Sequence, residues 1–288
     1  MTPAQESSTL LEVSQLLMRF QGLTALDNVS FSMARGSITS LIGPNGAGKT
    51  TLFNCVTGMY RPTAGRVSFE GVDITGEAAH QVSRHGVART FQNLALFSGL
   101  TVLENLLIGA YRQGSSGLLQ GALRTPRVRA EQRAAVAAAT EVLEFLGLPE
   151  TAHVLPGELS YGRQKQVEFA RALMQKAKLV LLDEPMAGMS SAEKSAMTEL
   201  IQRARERFGM SFLIVEHDIP VIMDISDKIV VLDFGRKIAD GTPFEVRSNE
   251  AVIAAYLGTE HEAQAQSQSQ SQSQPQDQEQ AQAQAQAA

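Results

Sequence analysis

Residues 43–50 read GPNGAGKT, a complete match to GxxxxGK[ST]. The apolar run Ile38–Ile42 precedes it and a helix-forming run from Lys49 follows, which is the context that motif requires. Gly43, Gly46 and Gly48 let the backbone approach phosphate oxygens closely, with Pro44, Asn45 and Ala47 completing the loop. Backbone N–H groups of the loop and of the helix N-terminus, through Thr51, supply positive potential. Lys49 adds a point charge at the β- and γ-phosphates, and the Thr50 hydroxyl can ligate Mg²⁺.

Such a cradle needs an acid at the end of a neighbouring buried strand. Leu179–Leu182 runs straight into Asp183 and Glu184. Asp183 suits Mg²⁺, through water, and Glu184 can polarise an attacking water as general base. A third apolar run, FLIVEH, ends at His217, which either hydrogen-bonds a γ-phosphate or an attacking water, or is structural. Gln92, in RTFQNL, carries no signal by itself. His80, His85, His153 and His261 lack a partner pattern and read as surface residues. LSYGRQKQ at 159–166 then leads into VEFARALM. Ser160 is a good N-cap, and Val167, Ala170, Leu173 and Met174 mark the apolar face of a helix. This is a second anion-binding helix end, 23 residues before Asp183 and remote in sequence from the first.

The elements that must position these residues alternate in type, as in an α/β domain with a largely parallel sheet. Leu26–Met33, Ser37–Ile42 and Arg66–Phe69 read as strands, and Lys49–Thr57 as a helix closed by Gly58. From about 93 to 176 Ala and Leu dominate, strand signals vanish, and the chain reads as helical. Leu179–Leu182, Phe212–Val215 and Ile229–Leu232 are short apolar runs of the buried parallel type. From Gln264 to Gln286, Gln fills every even position, alternating mainly with Ala and Ser. A segment so poor in large apolar side chains cannot offset a backbone ordering entropy of roughly 1–2 kcal/mol per residue, so 262–288 is expected to be disordered.

Composition removes several classes. The net charge is −5, and four of the acids (Glu260, Glu262, Asp277, Glu279) sit in or beside the tail, leaving the rest nearly neutral. A nucleic-acid binder with a strongly basic face is excluded. The single cysteine, Cys55, permits no intramolecular disulfide. MTPAQESSTL has neither a basic n-region nor an apolar h-region, so no signal peptide is expected, and no run approaches the ~18 apolar residues of a membrane span.

In motif order and spacing, GPNGAGKT, Gln92, LSYGR, LLDEP and His217 resemble the ABC ATPase family over residues ~8–260. The resemblance implies a P-loop NTPase (RecA-like) core with an ABC-type β subdomain, a helical subdomain at about 93–176 inserted into an ATPase domain of 8–261, and the 262–288 tail. It implies ATP and Mg²⁺ as ligands, Phe20 as the aromatic that stacks on adenine, and Gln92 as a nucleotide and metal contact. LSYGR resembles the family's LSGGQ signature, with Tyr161 for a Gly and Arg163 for Gln. In that family the signature of one subunit closes over ATP held by another, which would place Ser160, Tyr161, Gly162 and Arg163 on a partner's nucleotide. One departure is Ser190, in MAGMS, where many members carry an Asp that helps couple the two sites.

TFQNLALFSGLTVLENLLIGAY, LRTPRVR, DEPMAGM and ISDKIVVLDFGRKIADGTPFEV…AYLG resemble more narrowly the larger ATPase of branched-chain (Liv-type) amino-acid importers. Expected partners are then a second, different ATPase subunit, transmembrane permeases and, indirectly, an extracytoplasmic solute-binding protein, with no nucleic acid. The expected location is peripheral, on the cytoplasmic face of the inner membrane. The arginines of the insert (Arg112, Arg124, Arg127, Arg129, Arg133) form either a solvated basic loop or a patch for anionic headgroups or a partner. Alternatives are an importer for urea or amides, an exporter ATPase of the lipopolysaccharide type, and a non-transport ABC ATPase. Against the last, only 111 positions separate Lys49 from Ser160, too few for the long coiled coil of repair types, and translation types usually fuse two ATPase domains.

Overall fold

The computed structural model describes residues 9–90, 94–110 and 126–256. Gln92, the tail, His261, Arg112 and Arg124 lie outside the described residues, as does the Arg127 side chain. Two sheets organise the molecule. A four-stranded antiparallel sheet has the order β2–β1–β4–β5, with β1 Thr9–Phe20, β2 Leu23–Ala34, β4 Ala64–Phe69 and β5 Val72–Asp73. A six-stranded sheet has the order β10–β9–β3–β8–β7–β6. Its strands β3 Ile38–Ile42, β6 Val87–Arg89, β7 Leu179–Asp183, β8 Ser211–Val215 and β9 Lys228–Asp233 run parallel. β10 Arg236–Gly241 closes one edge antiparallel to β9.

The apolar runs become central strands because both faces are covered. β3, β7 and β8 are buried at every position. Successive side chains point to opposite faces, so Leu179, Leu181, Leu213 and Val215 enter a core shared with the antiparallel sheet. Val180, Leu182, Phe212 and Ile214 pack instead with the helices. α1 Lys49–Val56 and α2 Ala79–His85 join the first of these cores, through Leu52, Phe53 and Val82, whereas α3 Val102–Ala110, α4 Pro126–Leu146 and α5 Tyr161–Leu173, between β6 and β7, contribute to the second. After β7 come α6 Ser191–Phe208, α7 Ile219–Ile225 and α8 Pro243–Arg247. Among the described residues no strand interrupts 94–176, in line with the change of texture read there. No helix of the described residues is long and apolar enough to cross a membrane.

Four strands escape the sequence reading: β1, β5, β6 and β10. β1 carries register shifts against both neighbours and a positive φ of 50° at Gln15, which break the alternation that would mark it. β6 has only three residues, too few for any period to show. His85 also differs from expectation. It is half-buried and its Nε2 lies 3.0 Å from Glu77 Oε2, because α2 turns its last residue back toward the loop that precedes it. His80 and His153 are exposed, as expected.

Candidate functional site

The phosphate loop hangs between the end of β3 and the start of α1. Gly48 is the α1 N-cap with φ +97°, a left-handed conformation, and a Cβ there would lie 2.6 Å from the Ala25 carbonyl oxygen. Gly43, with φ +148°, is tighter still: a Cβ would fall 2.0 Å from the Leu232 carbonyl oxygen on β9. An open cleft of about 500 Å³ faces the loop, lined by Phe20, Asn45, Lys49, Thr50, Thr51 and Glu184, among others. The Lys49 ammonium donates to the carbonyls of Gly43 (2.6 Å) and Pro44 (2.8 Å), drawing the loop around its own cation. Burial pushes its pKa below the ordinary value, opposed by the carboxylates of Glu184 and Asp183. Phe20 sits at the mouth, its ring edge-on to Tyr60 with centroids 5.3 Å apart. Phe234, on the β9–β10 turn, also lines the cleft and was not read from sequence.

Both acids stand where expected. Asp183 ends β7 with its side chain 7% exposed. Glu184 takes φ +47° as its N–H donates to the Val215 carbonyl at 2.9 Å, turning the chain out of the sheet at the cleft. The structure supplies two partners that spacing could not. Arg89, on β6, places Nη2 2.7 Å from Asp183 Oδ2 and donates from Nη1 to Asn54 Oδ1 on α1 at 2.6 Å. The only sequence sign of it was a charged residue beside the apolar Val87–Ala88 pair. Glu216, next to His217, has a side chain just 1% exposed and accepts N–H bonds from Met186 (2.8 Å) and His217 (3.2 Å). Burial pushes its pKa up, against the pull of those two bonds. It thereby ties the segment after Glu184 to the end of β8. His217 is 67% exposed beyond that strand, with Nδ1 3.7 Å from Glu216 Oε2.

The segment Ser160–Arg163 opens α5, as the motif suggested, with one correction. Ser160 occupies the N-cap position, but its side chain makes no capping hydrogen bond. Its carbonyl starts the helix by accepting from Gln164 N–H (3.0 Å), so the first-turn amides lack a side-chain cap. Gly162 leaves room for the Glu193 side chain: a Cβ there would meet Oε1 at 2.2 Å, so that carboxylate would have to shift. Tyr161 lies over Gly188, and Arg163 pairs with Glu150 at 3.4 Å. None of Ser160, Tyr161, Gly162 and Arg163 lines the cleft at the phosphate loop. Ser190 has a clear local task. It caps α6 in a reciprocal box with Glu193, its N–H and Oγ 2.9 and 2.8 Å from Glu193 Oε2. Ser and Asp are both strong N-caps, so the departure leaves the helix start intact.

The donor set fits Mg²⁺. Thr50 and Asp183 offer hard oxygen ligands beside a phosphate cradle, and Asp183 is a buried carboxylate that already demands a cation. Among the described residues no cluster of three or more His, Cys, Asp or Glu could hold an ion without such help.

Comparison with known proteins finds relatives along most of the chain. The family model described as ABC transporter matches residues 26–187, and the one described as branched-chain amino acid ATP-binding cassette transporter matches residues 236–262. The chain is 44% identical over 252 residues to the high-affinity branched-chain amino acid transport ATP-binding protein BraF of Pseudomonas aeruginosa, covering 88% of this chain and 99% of that one. The figures are the same for LivG of Escherichia coli. Against a probable LivG of Archaeoglobus fulgidus they are 39% over 251 residues, 87% and 96%. A crystal structure of a nucleotide-free ATP-binding cassette from an ABC transporter superposes with a TM-score of 0.75 at 35% identity, covering 86% of this chain and 98% of that one. A cassette in its ADP conformation gives 0.76 at 35% identity, covering 87% and 99%.

Proposed function

The chain belongs to the ABC transporter family of ATP-binding proteins, and on that premise we propose that it is the ATP-hydrolysing subunit of an importer for branched-chain amino acids. Membership makes it an ATPase. The solute rests on one observation: 44% identity across nearly the full length of BraF and LivG, reinforced by the family match at 236–262. Its working partners are a second ATPase subunit, a different chain, and permeases in the inner membrane, with an extracytoplasmic binding protein delivering solute. The chain sits on the cytoplasmic face, its ATPase domain spanning 8–261 with the helical part at about 93–176.

Each side chain then has a task. Lys49 exchanges its two loop carbonyls for the β- and γ-phosphates, while the amides from Asn45 to Thr51 surround them. Phe20 offers its ring to the adenine. Thr50 and Asp183, with Gln92, would hold Mg²⁺, whose charge would offset that of the phosphates. Glu184, turned into the cleft by its positive φ, orients a water and accepts its proton as the water oxygen bonds to the γ-phosphorus and the bond to the β–γ bridging oxygen breaks, its electron pair leaving with ADP. His217 holds that water or the γ-phosphate from the end of β8. The uncapped helix start at Ser160, with Tyr161, Gly162 and Arg163, completes the site on a partner's nucleotide.

The test is uptake. A strain lacking this chain should lose transport of labelled leucine, isoleucine and valine, and recover it with the wild-type chain but not with Glu184→Gln. Normal uptake of all three with no compensating carrier, alongside failed urea or lipid traffic, would overturn the solute and leave the ATPase standing.

A further inference from the structure

Among the described residues, Arg89 is the cation that the fold places in direct contact with the Asp183 carboxylate. β6 pairs with β7 so that Arg89 stands opposite Leu181, and Asp183 is two residues further on the same face. α1 covers that face. The guanidinium, in a side chain 10% exposed, is therefore enclosed between strand and helix. It pairs with Asp183 Oδ2 at 2.7 Å, donates to Asn54 Oδ1 at 2.6 Å, and lies 5.5 Å from the centroid of the Phe53 ring. Three elements thus fix its position, and two of them carry the phosphate loop's helix and the metal-site acid. The planar fork suits this task, since it binds both acceptors at once and stacks on an aromatic face.

We propose that Arg89 is a positioning residue for Asp183: it holds the carboxylate in place before nucleotide arrives, and it sets how much divalent cation the loaded site requires. The proposal rests on Asp183 being the metal-holding acid. A buried cation on a metal ligand acts in two opposed ways. It spares an isolated carboxylate the penalty of burial without a partner. It also makes that carboxylate a poorer ligand, because a second cation must share its charge in a site of low dielectric. Arg89 thereby keeps the site ordered while empty and makes occupancy depend on nucleotide phosphates arriving with the metal.

The experiment is a Mn²⁺ titration of the full chain saturated with a non-hydrolysable ATP analogue, with free Mn²⁺ followed by electron paramagnetic resonance. Arg89→Met keeps the packing on Phe53 and removes the charge. It should bind Mn²⁺ roughly tenfold more tightly than wild type, as expected when one close like charge is removed. Arg89→Lys keeps the charge but not the fork, so it should fall between wild type and Arg89→Met. In an Asp183→Asn background, Arg89→Met should change nothing. If Arg89→Met folds poorly, Asn54→Ala decides the matter, since it removes one of the two hydrogen-bonded holds on the guanidinium and should tighten Mn²⁺ binding a few-fold in the same direction. Unchanged or weaker Mn²⁺ binding in the deciding variant overturns the proposal. If Asp183→Asn alone leaves Mn²⁺ binding unaltered, the assignment of Asp183 to the metal falls, and the proposal with it. If Asp183→Asn weakens binding while Arg89→Met does not tighten it, the role of Arg89 alone is refuted.

Discussion

Gly43→Ala should damage this protein far more than a glycine substitution of similar conformational demand at the other end of the same strand. Gly36 precedes β3 and Gly43 follows it, and both have positive φ, +68° and +148°. A Cβ at Gly36 meets nothing within 4 Å, so Gly36→Ala carries only backbone strain of about 1–2 kcal/mol. A Cβ at Gly43 lies 2.0 Å from the Leu232 carbonyl oxygen and 3.0 Å from its carbon. Both obstructing atoms are backbone, and Ile42 is paired to Val231 in the ladder beside them, so no rotamer change relieves the clash. Overpacking of about 1–3 kcal/mol adds to backbone strain of about 1–3 kcal/mol, giving roughly 2–6 kcal/mol. At about 2–4 °C per kcal/mol for a domain of this size, the midpoint of thermal unfolding should drop by about 10 °C. Relief requires the loop to lift by about 1 Å, a displacement that can cost on the order of 100-fold where phosphate positioning matters. Scanning calorimetry and titration with a fluorescent ATP analogue on both variants provide the test. Gly36→Ala should lose a few degrees and keep its ATP affinity. If Gly43→Ala is no worse than Gly36→Ala in both measurements, the close approach of β9 to the loop does not constrain it.

Two further outcomes follow from the same site. Glu184→Gln keeps size and removes the base, so ATP binding should stay within a few-fold while hydrolysis slows and closed dimers accumulate in size-exclusion chromatography; Lys49→Ala should instead weaken ATP binding itself, and near-normal turnover in Glu184→Gln would remove its role as base. Glu216 gives a pH signature: burial raises its folded pKa above 4.5, so the cost of carrying its charge in the folded state appears as pH rises through 4.5 and grows until the folded pKa is passed. Relative to wild type, Glu216→Gln should therefore gain thermal stability between pH 4.5 and 8, with His217 and Glu184 the neighbouring charges that modulate the slope, and a difference that is flat in pH would refute the burial argument.

Local chemistry is what the sequence determined about this protein. The phosphate loop could be read because its physics is contiguous: glycines, lysine and threonine act within one strand–turn–helix. Asp183 and Glu184 could be read because a buried strand announces itself by apolar residues and delivers its last side chains to a predictable edge. The absence of strands among the described residues of 94–176 followed from composition, and the membership of the chain from motif order. His217, which spacing left open between a functional and a structural role, stands exposed at a strand end beside the cleft's acids, where only the fold could put it.

Tertiary structure alone decided the contacts made at long separation. Arg89 meets Asp183 across 94 positions, and Met186 N–H meets Glu216 across 30, because parallel strands bring their ends together and no sequence period records which ends those are. Ser160 looked like a helix cap from residue type, yet whether a hydroxyl reaches its amides depends on a rotamer and on the neighbours around it. Ser190, which looked like a loss, proved to be the cap of its own helix once Glu193 was seen to reach back to it. The contact of Gly162 with that same Glu193 carboxylate, on another helix, was likewise invisible. Propensity and pattern act along the chain. Charge pairing, capping and close approach act through space, and that is where they were settled.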